Sequence, residues 1–131
     1  MSTYVTTKTN CQSFWPAFYG NISEVTLNNT AYRKILSTTP NMQLAVMSLM
    51  AGQEIGLEVH PYTTQYIKIE SGVGVAYIED KSYQLSNDVA IIVPPGAKHN
   101  IVNTSTDKHL KLYTIYSPPE HDQDLTELYK S

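Results

Sequence analysis

The hydrophobic positions of this chain fall into short runs, and turn-forming residues separate one run from the next. Short strands at regular spacing, with turn signals between them, predict an all-β sandwich or barrel with little helix. The predicted strands cover residues 22–27, 31–36, 42–51, 55–60, 65–70, 73–79, 89–93, 100–103 and 110–116. The predicted turns lie at residues 61, 71–72, 80–81, 86–88, 94–96 and 105–107. We expect at most one short helical turn near the end, within residues 122–130.

The predicted strand at residues 42–51 is apolar on nearly both of its faces. A strand of this kind is typical of burial on both sides, at a dimer interface or between two sheets. Four aromatic residues precede it, and together these features predict a homodimer that pairs or swaps strands. The aromatic residues are Phe14, Trp15, Phe18 and Tyr19. The alternative is that they plug one end of the barrel.

The composition limits the class of protein. The 131 residues are predicted to form one domain, with N-terminal strands and an aromatic arm at 1–40, a barrel core at 41–117 and a tail at 118–131. The net charge is −3 and the nine basic residues form no patch, which argues against nucleic acid as a partner. Cys11 is the only cysteine, so no internal disulfide can form. Since no segment has the character of a signal peptide or membrane span, we expect a cytoplasmic protein with no membrane partner.

Four side chains that can donate a lone pair to a metal stand on neighbouring segments. Glu58 and His60 are two residues apart, so they point to the same face of a strand. Gln65 follows the next turn, and His99 follows a rigid Pro95–Gly96 turn that can direct its side chain inward. Two imidazoles, one carboxylate and one amide oxygen suit a divalent Mn, Fe, Co, Ni or Zn ion. The sequence therefore predicts a metal site inside the barrel.

Each ligand also has a simpler interpretation. His60 and His99 could be hydrogen-bonded interior histidines, Glu58 an exposed carboxylate and Gln65 a turn residue. Only their combination at these offsets favours a metal site. The other two histidines are not expected to take part in catalysis, and His109, beside Lys108 in a polar turn, is predicted to be solvated.

The spacing of these residues resembles the two sequence motifs of the cupin family. Gly52, five residues, Glu58-Val59-His60, four residues, Gln65, six residues and Gly72 keep the spacing of the first motif. Pro94-Pro95-Gly96, two residues, His99, three residues and Asn103 match the second, except that Asn87 replaces its leading glycine and one extra residue precedes Pro94. The resemblance covers residues 40–117. It implies a cupin double-stranded β-helix, or jelly-roll barrel.

Two positions depart from the family pattern. Glu58 stands where cupins usually have their first histidine, and Gln65 stands where they have a glutamate. The two exchanges compensate, because the ligand set keeps a single negative charge, moved from position 65 to position 58. Gln65 could also orient a water molecule or a substrate, which would leave three ligands and open positions on the metal.

The stretches Gly56–His60, Gln65–Glu70 and Leu112–His121 resemble small cupins described as mannose-6-phosphate-isomerase-like. Three functions are compatible with a cupin of this kind. The first is isomerisation or epimerisation of a small, sugar-like carbonyl compound, with the metal as Lewis acid. Glu58 if unligated, Lys68 or Tyr62 would then be the catalytic base. The second is an iron or nickel dioxygenase reaction. The third is binding of a metal or a small-molecule ligand without turnover, since fold does not determine function.

Overall fold

The computed structural model describes residues 14–131, which form nine strands and one short helix. The helix α1 is Ile22–Asn28. The strands are β1 (Arg33–Thr39), β2 (Met42–Leu49), β3 (Thr64–Ser71), β4 (Gly74–Ile78), β5 (Lys81–Leu85), β6 (Ala90–Val93), β7 (His99–Asn103), β8 (Leu110–Ser117) and β9 (Thr126–Glu127). The predicted all-β class is therefore confirmed. Within residues 14–131 no helix has the length and apolar character needed to cross a membrane.

The strands form two sheets around a shared core. One sheet has six strands in the order β6-β3-β8-β2-β1-β9, and the other has three in the order β5-β4-β7. Two isolated antiparallel bridges, Glu54 to Val102 and Glu58 to His99, attach the segment before β3 to the outer side of β7. The core cluster includes Ile67 and Ile69 of the larger sheet and Ala76 and Ile101 of the smaller one. The chain thus has the two-layered architecture of a β-sandwich of the jelly-roll type.

The inner face of the six-stranded sheet changes from apolar to polar along its strands. Paired residues share a face, and Ile69, Leu112 and Met47 form one apolar row across β3, β8 and β2. Further along the same strands, Gln65 and Gln43 flank Tyr116, and all three side chains are buried. Buried polar groups need partners, so this end of the interior is where a polar site can form.

The first predicted strand was wrong, because residues 22–28 form the helix α1. Asn21 caps it, with its side-chain oxygen accepting a hydrogen bond from the backbone N–H of Glu24 at 3.0 Å. Glu24 also places a negative charge in the first turn, where it interacts favourably with the positive end of the helix dipole. The β-branched residues of this segment suggested a strand, but the cap and contacts with β2, β3 and β8 determine the structure.

Three further predictions need correction. Residues 55–60 form only the bridge at Glu58 rather than a strand, because Gly56 has a φ of +106° and interrupts the extended chain. The predicted turn at 80–81 is instead the Glu79–Asp80 turn of a hairpin, and Lys81 begins β5. The tail forms no helical turn, since β9 pairs with β1 through Arg33 and Glu127.

The prediction that β2 is buried on both faces is confirmed. Other parts of the same chain cover both faces, so this burial does not require a partner subunit. β2 is a central strand between β1 and β8, and Val46 and Met47, on opposite faces, are both buried. The N-terminal aromatic residues lie on the surface, with Tyr19 fully exposed, so they do not plug the barrel. The homodimer stays a prediction.

Candidate metal centre

Backbone hydrogen bonds bring Glu58, His60 and His99 to the same end of the interior. The N–H of Glu58 donates to the carbonyl oxygen of His99 at 2.9 Å, and the N–H of His99 donates back at 3.0 Å. Residues paired in this way point to one face. The Gly96 N–H donates to the carbonyl of His60 at 2.9 Å, which fixes the turn before β7 against the segment before β3. Gly96 has a φ of +84°, a conformation that this turn needs and that other residues rarely adopt.

The three side chains converge on one point. Their ligand atoms all lie within 4.8 Å of one another. Oε1 of Glu58 lies 3.4 Å from Nε2 of His60 and 3.8 Å from Nε2 of His99. Two ligand atoms at tetrahedral angles, each about 2.1 Å from a metal, are about 3.4 Å apart. The observed spacing is therefore close to that of a coordinated ion.

The other ring nitrogen of each histidine faces an oxygen that can accept a hydrogen bond but cannot donate one. Nδ1 of His99 lies 3.0 Å from the carbonyl oxygen of Ala97, and Nδ1 of His60 lies 3.3 Å from Oε2 of Glu120. We therefore assign the proton of each neutral ring to Nδ1, which leaves a lone pair on Nε2. Both Nε2 atoms are buried, and neither has a hydrogen-bond partner among the residues described. The nearby Glu58 oxygen lies within ion-pair distance of His60 without hydrogen-bond geometry.

Two nitrogen lone pairs and a carboxylate that face one another repel in a buried environment. The two Nε2 atoms are buried and Glu58 is partly exposed, and a cation between the three groups would turn their mutual repulsion into attraction. A divalent metal ion satisfies all three at once. Glu58, His60 and His99 therefore fit a metal of the class that the sequence predicts.

Gln65 presents a buried oxygen as a fourth candidate ligand atom. Thr114 Oγ1 donates its only proton to the carbonyl of Tyr66 at 2.9 Å, so it must accept the 3.0 Å hydrogen bond from Nε2 of Gln65. The amide orientation follows, and Oε1 of Gln65 is buried with no hydrogen-bond partner in the part of the chain described. Gln65 is 3% exposed and so is a core residue rather than a turn residue. Its coordination of a metal stays a prediction.

A loop that follows β8 forms one wall of the site. Glu120 contacts His60 through Oε2, while its Oε1 accepts a hydrogen bond from Thr63 Oγ1 at 2.8 Å. The loop is held by Gln43, whose Oε1 accepts from the backbone N–H groups of Glu120 and His121 at 3.1 and 3.0 Å. Glu120 thus orients a ligand ring, a role that outer carboxylates commonly have in metal sites. Glu120 lies in the stretch Leu112–His121 that resembles a subgroup of small cupins, but neither periodicity nor the two cupin motifs indicated that it contacts a ligand.

Tyr116 and His121 extend the site away from the ligands. The Tyr116 ring packs edge-on at 6.1 Å from the His60 ring and 5.0 Å from the His121 ring, measured between centroids. Burial is the main reason that the pKa of Tyr116 is raised to about 12. The negative charge of Glu58 raises this pKa as well, and the positive charge of Arg33 lowers it. Burial also lowers the pKa of His121, and Arg33 lowers it further. His121, which was not expected to take part in catalysis, therefore lies beside the cluster in its neutral form at pH 7.

The predicted catalytic bases are placed differently. Glu58 lies in the cluster, whereas Lys68 lies on the face of β3 opposite Gln65, as the alternation of side chains requires. Its ammonium group contacts Glu70 at 2.7 Å and Asp88 at 3.0 Å, and these hydrogen bonds raise its pKa. Lys68 is thus a paired cation away from the site. Tyr62 is 85% exposed.

Other features lie apart from this centre. His109 is exposed, as predicted, and its Nδ1 lies 3.0 Å from Ser48 Oγ. A groove of about 500 Å³ lies beside β1 and contains none of the ligands, although its shape alone would make it a binding-site candidate. We place the chemistry at the cluster because the convergent, buried ligand atoms are there.

The sequence and the fold match known proteins. Residues 45–116 match the family described as Cupin domain. Protein L612 of Acanthamoeba polyphaga mimivirus is 41% identical over 104 residues, which cover 77% of this chain and 65% of that protein. Protein YrkC of Bacillus subtilis (strain 168) is 40% identical over 110 residues, which cover 79% and 59% of the two chains. This chain therefore spans less than two thirds of the length of either relative.

A solved structure is also similar to this chain in fold and in sequence. The crystal structure of BH2720 from Bacillus halodurans superposes with a TM-score of 0.84 and 34% sequence identity, covering 86% of this chain and 89% of that one. The domain match includes all four predicted ligands and more than half of the chain. The paired motifs, the two-sheet architecture and these similarities agree, and the chain belongs to the cupin family.

Proposed function

We propose that this cupin is a metal-dependent enzyme that acts on a small, polar, sugar-like substrate in an isomerase or epimerase reaction. The observation that carries the proposal is the convergence of Glu58, His60 and His99, whose ligand atoms lie within 4.8 Å of one another. The resemblance to mannose-6-phosphate-isomerase-like cupins supports the class of substrate.

Glu58, His60 and His99 would hold the ion, and Gln65 would contribute its buried oxygen as a fourth ligand. Such a set suits Zn, Mn, Fe, Ni or Co. When bound, the metal would supply Lewis acidity, polarising a carbonyl group or holding adjacent hydroxyl groups. Glu120 would keep the proton of His60 on Nδ1 and so keep Nε2 available.

An isomerase of this kind also needs a group that accepts a proton from carbon. Glu58 is occupied in the cluster and Lys68 is paired on the opposite face of its strand, so neither suits the role. His121 is half-buried, and its lowered pKa keeps it in the form that accepts a proton at pH 7. We therefore assign the catalytic base to His121, with Tyr116 between it and His60.

One observation favours a second candidate function. Two histidines and one carboxylate with open positions form the ligand set of many non-haem Fe(II) oxygenases, and Glu58, His60 and His99 have this composition. Gln65 distinguishes the two, because a fourth protein ligand leaves less room for oxygen and substrate. Oxygen uptake by the Fe(II)-loaded protein with an aromatic or thiol substrate would favour the oxygenase.

The proposal is tested with metal-loaded protein and a panel of aldoses, ketoses and sugar phosphates. We expect turnover by the wild type, loss of metal and turnover in Glu58→Ala, and loss of turnover with retained metal in His121→Phe. Lys68→Gln, on the outer face, should behave like the wild type. Protein that binds metal and never turns over the panel would contradict the enzymatic proposal and indicate a non-catalytic, metal-binding cupin.

A further inference from the structure

Arg33 is the only arginine in the sequence, and it is buried in the interior of the barrel. It lies on β1 opposite Met47, and only 6% of its surface is exposed. Because paired residues share a face, its side chain starts from the inner face of the six-stranded sheet, which also carries Gln65 and Tyr116. Arginine is almost never fully buried unless it is paired, so its contacts indicate its role.

The pairing of Arg33 within the described part of the chain is incomplete. One terminal nitrogen of the guanidinium group donates to Oε1 of Glu127 at 2.8 Å, and the group lies 5.3 Å from the centre of the Tyr32 ring. The Nε–H is buried and has no hydrogen-bond partner among residues 14–131. A buried donor without a partner is rare in proteins and calls for an explanation.

The side chain of Arg33 starts from the same inner face as Tyr116, and Tyr116 connects it to the metal cluster. Tyr116 packs in one core cluster with Ile35, which lies two residues from Arg33 on the same face of β1. The ring of Tyr116 is 6.1 Å from the ring of His60. A ligand held at the cluster would therefore have Tyr116 and then Arg33 as its neighbours on this side.

The chemistry of the guanidinium group defines what it would bind. Arginine stays charged at any physiological pH and presents planar, paired N–H donors that match the oxygens of a carboxylate or phosphate. A neutral hydroxyl group of a ligand could accept the hydrogen bond from the Arg33 Nε–H, but it would not form an ion pair with the guanidinium group. Lys68, by contrast, is occupied by Glu70 and Asp88 on the outer face.

We propose that Arg33 is the anion-recognising residue of this site, and that the ligand is a small molecule carrying a carboxylate or phosphate group. The inference rests on the proposed function, because it places the anion on a substrate held at the metal cluster. It adds a class of substrate, since the reaction alone would accept neutral sugars. Glu127 competes with the ligand for the same guanidinium group.

Matched ligands and variants test this inference. Isothermal titration calorimetry would compare glucose, glucuronate and glucose 6-phosphate as probes of the metal-loaded protein. We expect at least one anion to bind the wild type about tenfold or more tightly than glucose, and Arg33→Met to lose that preference. The anion that is preferred identifies the group as carboxylate or phosphate. Lys34→Gln removes an exposed charge from the same strand and should change nothing.

Glu127→Gln separates recognition from a structural role. It removes the competing carboxylate, so anion affinity should rise severalfold, whereas a merely structural ion pair predicts loss in both variants. If Arg33→Met does not fold, Arg33→Lys replaces it, and it should retain only part of the preference. No anion preference in the wild type, or a preference that survives in Arg33→Met, would overturn the inference. Metal content and turnover of the sugar panel, measured on the same samples, separate these outcomes from failure of the proposed function, which is absence of metal binding or metal binding without turnover.

Discussion

Replacing Gln43 by leucine removes four hydrogen bonds, three of which hold the loop after β8 at the metal centre. The side chain is fully buried. Its Nε2 donates to Thr38 Oγ1 at 3.0 Å and to the carbonyl of His121 at 2.7 Å. Its Oε1 accepts from the backbone N–H groups of Glu120 and His121. Leucine is similar in volume and can make none of these bonds.

The expected loss of stability follows from these contacts. A net contribution of 0.5–1.5 kcal/mol for each hydrogen bond gives a total of about 2–6 kcal/mol. The loop groups regain water if the loop detaches, which favours the lower half of that range. Detachment would also remove Glu120 from His60, and loss of an outer carboxylate typically weakens metal binding about 10–100-fold.

Two measurements check this prediction. Urea denaturation of the metal-free protein gives the change in the free energy of unfolding, and a competitive metal titration gives the change in affinity. Gln53→Leu is the matched control, because Gln53 makes a side-chain hydrogen bond to the Met50 N–H away from the site. It should cost no more than about 1.5 kcal/mol and leave metal affinity unchanged. A Gln43→Leu protein with wild-type stability and metal affinity would refute the reasoning.

Three further predictions concern single residues. In metal-free protein, folded Tyr116 stays protonated up to a pKa of about 12. In the unfolded state it ionises near the ordinary tyrosine pKa of about 10, so raising the pH between these values favours unfolding. The wild type should therefore lose about 2–3 kcal/mol more than Tyr116→Phe over that range in alkaline denaturation curves, and parallel curves would contradict the assignment. Glu120→Gln should weaken metal binding about 10–100-fold, whereas Glu24→Gln on α1 should not, as isothermal titration would establish. Lys68→Gln should change the free energy of unfolding by at most about 1 kcal/mol and leave metal affinity unaltered; a large loss of affinity would return Lys68 to the site.

The strands of the barrel were predictable because local pattern and tertiary structure agree there. β3 and β8 alternate between buried and less buried positions with period two, and β2 is a short, nearly continuous apolar run. Each of the three therefore indicates a strand from its own sequence. α1 could not be read in this way, since its cap at Asn21 and its packing outweigh the strand preference of its β-branched residues. β9 and the bridge at Glu58 are likewise fixed by long-range pairing, which a local pattern does not contain.

The site divides along the same line. Glu58, His60 and His99 were predictable because two short motifs carry them, and the backbone bridge between Glu58 and His99 brings those motifs together. Glu120 lies outside both motifs and reaches His60 only through the fold of the loop after β8. The prediction of Lys68 as a catalytic base was wrong because side chains alternate between the two faces of a strand. This alternation places Gln65 inside and Lys68, three residues later, outside.

The most direct test of the metal centre is an anomalous diffraction measurement on crystals loaded with the metal that the purified protein carries. A metal held by the three ligands should give one peak per chain, about 2.0–2.3 Å from Nε2 of His60, Nε2 of His99 and a carboxylate oxygen of Glu58. The peak should vanish in crystals of Glu58→Ala. Absence of a peak between these three residues, or a peak elsewhere on the chain, would show that they do not form the metal site.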